Sequence, residues 1–188
     1  MEIRKENSLA ECATIICTAF HKLGTTIVLT GGSAATYYAP QSYQSRDIDF
    51  VLQVQMAGKP EAQALRDLGY ESGPGSCYRH PLNPFTIEFI NDDLMIGEEL
   101  ISSWNTVTRD NLTLHVLHPI DCIKDRLTKY IYWHDNSAME AAAGVYNETD
   151  IDIDIIKEWC QRESPQNAEQ TISRLLALAN RTKPTSNP

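Results

Sequence analysis

The sequence has no long apolar run. None of its hydrophobic stretches reaches the ~18–20 residues that a helix needs to cross a bilayer. Residues 1–7 include several charges, and no signal-peptide pattern follows them. These two features predict a cytoplasmic protein.

Cysteine and histidine are few and scattered. The five cysteines have no metal-ligand spacing, and the five histidines form no cluster in the sequence. A disulfide framework and a zinc site are therefore not expected, and reduced, buried thiols are.

Basic residues are also scarce. The chain has 16 Lys and Arg against 25 Asp and Glu, which gives a formal net charge of −9. This balance argues against a protein that mainly coats nucleic acid, and it suits a site that collects cations. The 188 residues, 42% of them hydrophobic, are enough for one sizeable core or for a domain with a small helical appendage.

The most informative stretch is residues 27–51. The apolar run from Ile27 to Leu29 predicts a buried strand, and Gly31, Gly32 and Ser33 follow it. Glycines let a backbone approach a ligand closely, and the N–H groups at a helix start bind phosphate. A plain strand-to-helix turn is the alternative interpretation of these three residues.

Acidic residues follow on two further predicted strands. Asp47 and Asp49 are two residues apart, so both carboxylates share one face with their Cα atoms roughly 6–7 Å apart. Such a pair suits divalent cations, which prefer oxygen ligands, although an exposed edge strand would carry the same pattern. Glu88 is the one acid in an apolar strand over residues 85–90, where it needs a metal or an arginine partner.

Together, these residues resemble the signature of the nucleotidyltransferase superfamily with a DNA polymerase β-like fold. The resemblance covers about the first two-thirds of the chain. It implies that Asp47, Asp49 and Glu88 bind two Mg²⁺ ions, that Glu88 deprotonates the acceptor, and that the Gly31–Ser33 turn receives the triphosphate of an NTP such as ATP. The position of Arg46, directly before the acid pair, resembles the AbiEii-type toxin branch.

Several other residues keep two interpretations. Arg46 is either a triphosphate ligand or a surface charge. The resemblance favours Lys124 as a phosphate ligand, whereas Arg126 and Lys129 fit a solvated helix face better. Tyr37 and Tyr38 either stack a base or pack in the core. The alternating acids of residues 150–154 lack an upstream glycine loop, and we interpret them as the start of a helix capped by Thr149.

We therefore predict an α/β (α+β) fold with a mixed-sheet nucleotidyltransferase core, residues 1–118, and a C-terminal helical part, residues 119–188, whose tail from 182 is disordered. The expected activity is Mg²⁺-dependent transfer of an NMP moiety from an NTP to a hydroxyl. Candidate acceptors are a small alcohol such as an aminoglycoside or lincosamide, a protein side chain or an RNA end. The alternative is a non-catalytic nucleotide-binding module or an antitoxin-like partner of another protein in a toxin–antitoxin system.

Overall fold

A computed structural model describes residues 1–54, 61–90 and 92–182 of the chain. The glycine and proline of residues 58–60 predict a break in regular structure, and this segment lies outside the described residues. Nearly all of the predicted disordered tail lies outside them as well. The helices of the described part are α1 (Leu9–Lys22), α2 (Gly31–Tyr38), α3 (Glu61–Asp67), α4 (Pro119–Trp133), α5 (Asn136–Glu148), α6 (Ile153–Glu163) and α7 (Ala168–Thr182).

The described strands form one large mixed sheet and one small hairpin. They are β1 (Thr26–Leu29), β2 (Asp47–Val54), β3 (Glu71–Ser72), β4 (Cys77–His80), β5 (Asn83–Ile90), β6 (Met95–Ile96), β7 (Glu99–Leu100), β8 (Asn105–Arg109) and β9 (Leu112–Val116). The large sheet has the order β3-β4-β5-β2-β1-β9-β8, and β6 pairs with β7. The predicted α/β class with a mixed sheet is confirmed.

Strand β2 is the central strand of the large sheet, which contains both parallel and antiparallel pairs. Strand β2 runs antiparallel to β1 and parallel to β5, while β1 is parallel to β9. Short hairpins cannot join parallel neighbours, so the chain between β2 and β5 passes through α3, β3 and β4. The acid-bearing strand β2 and the Glu88-bearing strand β5 therefore lie side by side in the interior of the sheet.

Local sequence signals explain where the helices begin. Ser8, with Glu11 three residues later, predicts a capping box, and the two residues form one at the start of α1. Pro119 occupies the first turn of α4, where a missing N–H costs little. Thr149, however, does not cap α6: the cap is Asp152, whose carboxylate accepts a hydrogen bond from the Asp154 backbone. The prediction of a helix start at the alternating acids is correct, and the predicted capping residue is wrong.

Two other local predictions need correction. The glycines, proline and serines of residues 72–76 predict an irregular loop, but Ser72 belongs to β3 and Pro74–Ser76 forms a 3-10 turn. The sequence pattern after the two glycines predicts a short helix from Ala34, but α2 begins at Gly31, so the glycines form its first turn. Glycine is a poor helix former, so the start of α2 at Gly31 is set by tertiary contacts and not by helix propensity.

The hydrophobic core is shared by the two predicted parts of the chain. One cluster of buried residues contains Phe20 and Phe50 from the sheet half together with Leu127, Met139 and Leu175 from the C-terminal helices. Helix α5 also lies close to the end of α2, since a Cβ atom at Gly144 would meet the Cβ of Ala39 at 3.4 Å. The boundary at residue 118 stays a prediction.

Candidate functional site

The corner between β1 and α2 is built around a missing side chain. Gly31 has a φ of +64°, which L-residues rarely adopt, and a Cβ atom there would collide with the carboxylate of Asp49. Gly32 is also confined, because a Cβ atom would come within 3.1 Å of the Tyr43 hydroxyl. The two glycines therefore let the helix start approach the acid-bearing strand closely.

Hydrogen bonds fasten this corner to the backbone of Asp49. The Thr30 N–H donates to the Asp49 carbonyl at 3.0 Å, and the Asp49 N–H donates to Ser33 Oγ at 3.0 Å. The buried Ser33 hydroxyl in turn donates to the Thr30 carbonyl at 2.7 Å. Ser33 thus holds the corner together, and its hydroxyl is already used inside the protein.

The three predicted acids share one face of the sheet. The parallel register of β2 and β5 places Asp47 opposite Thr86 and Asp49 opposite Glu88. Residues directly opposite on neighbouring strands point to the same side, and Asp47 shares that side by period 2. The Asp47 carboxylate accepts a hydrogen bond from the Thr86 hydroxyl. Glu88 is exposed, so the sequence-based assumption that it is buried among apolar neighbours is wrong.

Asp49 differs from the other two acids in its surroundings. It is half-buried, whereas Asp47 and Glu88 are exposed. Burial raises the pKa of the Asp49 carboxyl from its ordinary value of 3.8 to about 6. The nearby Arg126 cation opposes this rise, and the negative charges of Glu88 and Asp47 add to it. The ionised form of Asp49 is therefore disfavoured in the folded protein, and a cation bound next to it would stabilise that form.

A cleft of about 880 Å³ opens in front of Asp49 and Glu88, and Asp47 lies outside its lining. Gly31, Asp49 and Glu88 form one wall, and α4 forms another with Arg126 and Lys129. The β6–β7 hairpin and the end of α6 complete the lining. Asp49, Glu88 and Gly31 therefore face a space large enough for a small-molecule ligand.

The two cations of this cleft are held differently. Arg126 is buried, and its Nε and Nη2 donate to Asp125 Oδ2 at 3.0 Å and 2.7 Å. Lys129 is exposed, with its ammonium 4.7 Å from the centre of the Trp133 ring. Arg126 is thus fixed by its neighbour, while Lys129 lies at the open side of the cleft.

Two predicted phosphate ligands lie elsewhere. Arg46 is exposed at the start of β2 and does not belong to the cleft lining. The ammonium of Lys124 pairs with Glu99 at 3.0 Å and Asp121 at 3.5 Å, outside the lining. Lys124 therefore does not lie in the cleft with Asp49 and Glu88. Arg126 and Lys129, for which the sequence favours a solvated helix face, do line that cleft. Lys124 instead ties the hairpin to α4.

The donor set in front of the corner suits a hard cation but does not form a finished site. Asp49 and Glu88 offer carboxylate oxygens on adjacent strands, and Asp47 lies next to them on the same face. Within residues 1–54, 61–90 and 92–182, no three His, Cys, Asp or Glu side chains are arranged to hold a metal ion as they stand. The side chains of Asp47, Asp49 and Glu88 would have to rotate for them to share one.

Sequence reasoning missed the far end of the cleft. Tyr132, Trp133 and Glu163 line it, and the Tyr132 hydroxyl donates to Glu163 Oε1 at 2.8 Å. The signal was present in α4, because Asp125, Lys129 and Tyr132 recur at helical spacing and therefore share a face. The two tyrosines considered for base stacking lie outside the lining, and the Tyr38 hydroxyl donates to the Leu117 carbonyl at 2.6 Å.

Comparisons with known proteins identify the fold. A solved structure of an antigenic nucleotidyltransferase-like protein from Paracoccidioides brasiliensis superposes with a TM-score of 0.62 at 13% identity, covering 93% of this chain and 89% of that chain. The chain has a nucleotidyltransferase-like fold. No family model matches the sequence, and no curated protein does. At this identity the likeness extends to the fold alone, and the AbiEii-type branch stays a prediction.

The described residues form seven helices, α1 to α7. None of those within 1–54, 61–90 and 92–182 is both long enough and apolar enough to cross a bilayer. The expected cytoplasmic location stays a prediction.

Proposed function

We propose that this protein is a Mg²⁺-dependent nucleotidyltransferase that moves an NMP moiety from an NTP to a hydroxyl acceptor. The observation that carries the proposal is the row of acids on one sheet face. Asp49 and Glu88 are opposite each other on β2 and β5, Asp47 is beside them, and the Gly31 corner is in direct contact with Asp49. A phosphate-binding turn next to paired carboxylates suits phosphoryl-group chemistry.

Each part of the cleft then has a task. The N–H groups in the first turn of α2, at Gly31 and Gly32, donate hydrogen bonds to phosphate oxygens. The Arg126 and Lys129 cations lie across the cleft from the acids and counter the charge of the triphosphate. Asp47, Asp49 and Glu88 would hold two Mg²⁺ ions, which would neutralise phosphate charge and activate the acceptor hydroxyl.

The proposed reaction is an in-line displacement. The acceptor oxygen forms a bond to the α-phosphorus of the NTP, and the bond from that phosphorus to the bridging oxygen of pyrophosphate breaks. The acceptor proton passes to a carboxylate, for which Glu88 is the candidate because it is exposed to the cleft. Asp49 is fixed by the corner and serves as a holding group.

A pyrophosphate-release assay with purified protein, Mg²⁺ and each NTP, with cell extract as the source of acceptor, tests the proposal. We expect release in the wild type, and at least a hundred-fold loss in Asp47→Ala and Asp49→Asn, since losses of this order follow removal of a key electrostatic group. Asp150→Asn is the matched control, because it removes an exposed acid from a similar alternating pattern outside the cleft. Full activity in Asp47→Ala would refute the assignment.

The second candidate is a non-catalytic nucleotide-binding or partner-binding module. The absence of a finished three-ligand cluster among the described residues favours it. Thermal unfolding with and without NTP and Mg²⁺ separates the two candidates. A rise in Tm that requires both Mg²⁺ and Asp49, together with pyrophosphate release, supports the enzyme. Binding without turnover, or association with a partner protein without any nucleotide, supports the module.

A further inference from the structure

The end of the cleft farthest from the acids carries an exposed pair of aromatic rings. Tyr132 and Trp133 keep 51% and 65% of their surface accessible, although large aromatic side chains usually bury most of theirs. Their ring centroids are 5.9 Å apart with an edge-to-face tilt of 70°. Both belong to the lining of the cleft, so this apolar surface faces the same space as the acids.

Helix α4 connects this pair to the charged part of the cleft. Asp125, Arg126 and Lys129 line the cleft before Tyr132 and Trp133 do, so one side of the helix runs along it. At 1.5 Å per residue, Arg126 and Trp133 are separated by about 10 Å along the helix axis. A ligand with an anionic end near Arg126 therefore extends toward the aromatic rings.

The rings are held in place from two sides. The Tyr132 hydroxyl donates to Glu163 Oε1, which ties the end of α4 to the end of α6. The Lys129 ammonium lies over the Trp133 ring, an interaction that favours one orientation of the indole. An exposed ring that is oriented before binding loses little conformational freedom when a flat ligand stacks on it.

We propose that Trp133 is the stacking residue for the nucleobase of the nucleotide that this cleft binds. The inference rests on the proposed function for the presence of a nucleotide, and it adds where the base lies. Charge sets the direction: the phosphates lie toward Arg126 and the Gly31 corner, and the uncharged base lies at the aromatic end. Stacking is tolerant of base identity, so Trp133 confers affinity for nucleotides without selecting one base.

The chain provides an internal reporter for this proposal. Of the other two tryptophans, Trp159 is buried and Trp104 is half-buried against His115, and neither lines the cleft. Trp104→Phe removes a background signal without touching the cleft. In this variant we expect NTPs to quench the fluorescence of Trp133, whereas inorganic tripolyphosphate, which lacks a base, leaves it nearly unchanged.

Calorimetric titration of the full-length protein with an NTP and with tripolyphosphate, both with Mg²⁺, supplies the decisive comparison. We expect Trp133→Ala to weaken NTP binding roughly 5-fold to more than 100-fold, the range for losing one base–aromatic stack, and to leave tripolyphosphate binding unchanged. Trp133→Phe keeps a ring and should retain most of the affinity. The side chain is largely exposed, so the unfolding temperature of all three proteins should agree.

The outcomes separate this inference from the proposed function. Trp133→Ala with wild-type NTP affinity, or wild-type protein that binds tripolyphosphate as tightly as NTPs, overturns the stacking role even if pyrophosphate is released. Failure of the wild type to bind any NTP overturns it as well. Base-dependent binding that is lost in Trp133→Ala, without pyrophosphate release in any condition, supports the stacking role and refutes only the catalytic proposal.

Discussion

Replacing Asp49 by asparagine should stabilise the metal-free protein while abolishing its proposed activity. The pKa of the Asp49 carboxyl is raised from 3.8 to about 6, so the folded state disfavours the charged form. Each pKa unit corresponds to about 1.4 kcal/mol, and the charge therefore costs roughly 3 kcal/mol of folding free energy at pH 8. Asparagine has nearly the same shape and carries no charge, so it should recover most of that amount.

The pH dependence makes this prediction specific. For a carboxyl with a raised folded pKa, the full stability is present below the unfolded pKa of 3.8 and is lost as the pH rises through about 6. At pH 5 the unfolded carboxyl is mostly ionised and the folded one mostly protonated, so the cost is roughly half of its value at pH 8. The gain from Asp49→Asn should shrink accordingly.

Urea unfolding in EDTA-containing buffer at pH 8 and pH 5 measures this gain. Asp47→Asn is the control, because it removes a neighbouring charge from an exposed position on the same strand, and its stability should change little. An Asp49→Asn protein that is no more stable than wild type at pH 8, or a gain that is the same at both pH values, would refute the reasoning. Added Mg²⁺ should narrow the difference, since an ion that binds only the folded wild type stabilises it.

Three further predictions concern the corner between β1 and α2, at Gly31 and Ser33, and His115 of strand β9. Gly31→Ala should lower the free energy of unfolding by about 1–2 kcal/mol or more in urea titration, because an alanine at φ +64° is strained and its Cβ collides with Asp49. Ser33→Ala should cost about 1–3 kcal/mol in the same assay, since it leaves the Asp49 N–H without its buried acceptor, and Ser33→Thr or Ser33→Cys should recover part of this. His115, whose pKa is lowered by burial and by His21, contributes stability that is present above pH 6.5 and lost as the pH falls; His115→Gln should flatten this acid-side loss in Tm measurements from pH 7 to 5.

The row of acids was predictable because it depends on a short-range rule. Side chains two residues apart in a strand share a face, so Asp47 and Asp49 had to point the same way once β2 was identified. The position of Glu88 depended in addition on the pairing of β2 with β5, which the resemblance implied and periodicity could not. The exposure of Glu88 was not predictable, because apolar neighbours in a strand do not reveal which part of a sheet face is left uncovered.

The sequence could not show which basic residue of α4 lines the cleft, and the reason is geometric. Lys124 and Arg126 are two positions apart, which at 3.6 residues per turn places them about 200° apart around the helix. Both side chains are buried in the folded protein. The hydrophobic pattern of α4 assigns charged residues to its solvent-facing side, so it could not show which of these two faces the cleft. Which of the two meets the acids is decided by the rotation of α4 against the sheet, a tertiary property.

The β6–β7 hairpin shows a different limit. Its strands, Met95–Ile96 and Glu99–Leu100, have two residues each, which is too short for any periodic signal. The hairpin forms because Gly97 provides a φ of +59° in the turn and the Ile101 N–H donates to the Leu94 carbonyl at 2.8 Å. Its contribution to the cleft therefore follows from a turn and a closing hydrogen bond that only the folded chain brings together.

The cleft takes its two opposing charges from opposite sides of the predicted boundary at residue 118. The acids and the glycine corner come from the sheet half, and Arg126, Lys129 and the aromatic pair come from α4. Asp49 is half-buried beside Glu88, and the Arg126 cation is what opposes the resulting rise of its pKa. Without α4, the Asp49 carboxylate of the sheet half would lack the Arg126 counter-charge. The proposed function therefore needs residues from both sides of the predicted boundary. Arg126 of the C-terminal part therefore favours the ionised form of the Asp49 carboxyl, the form that can bind a cation.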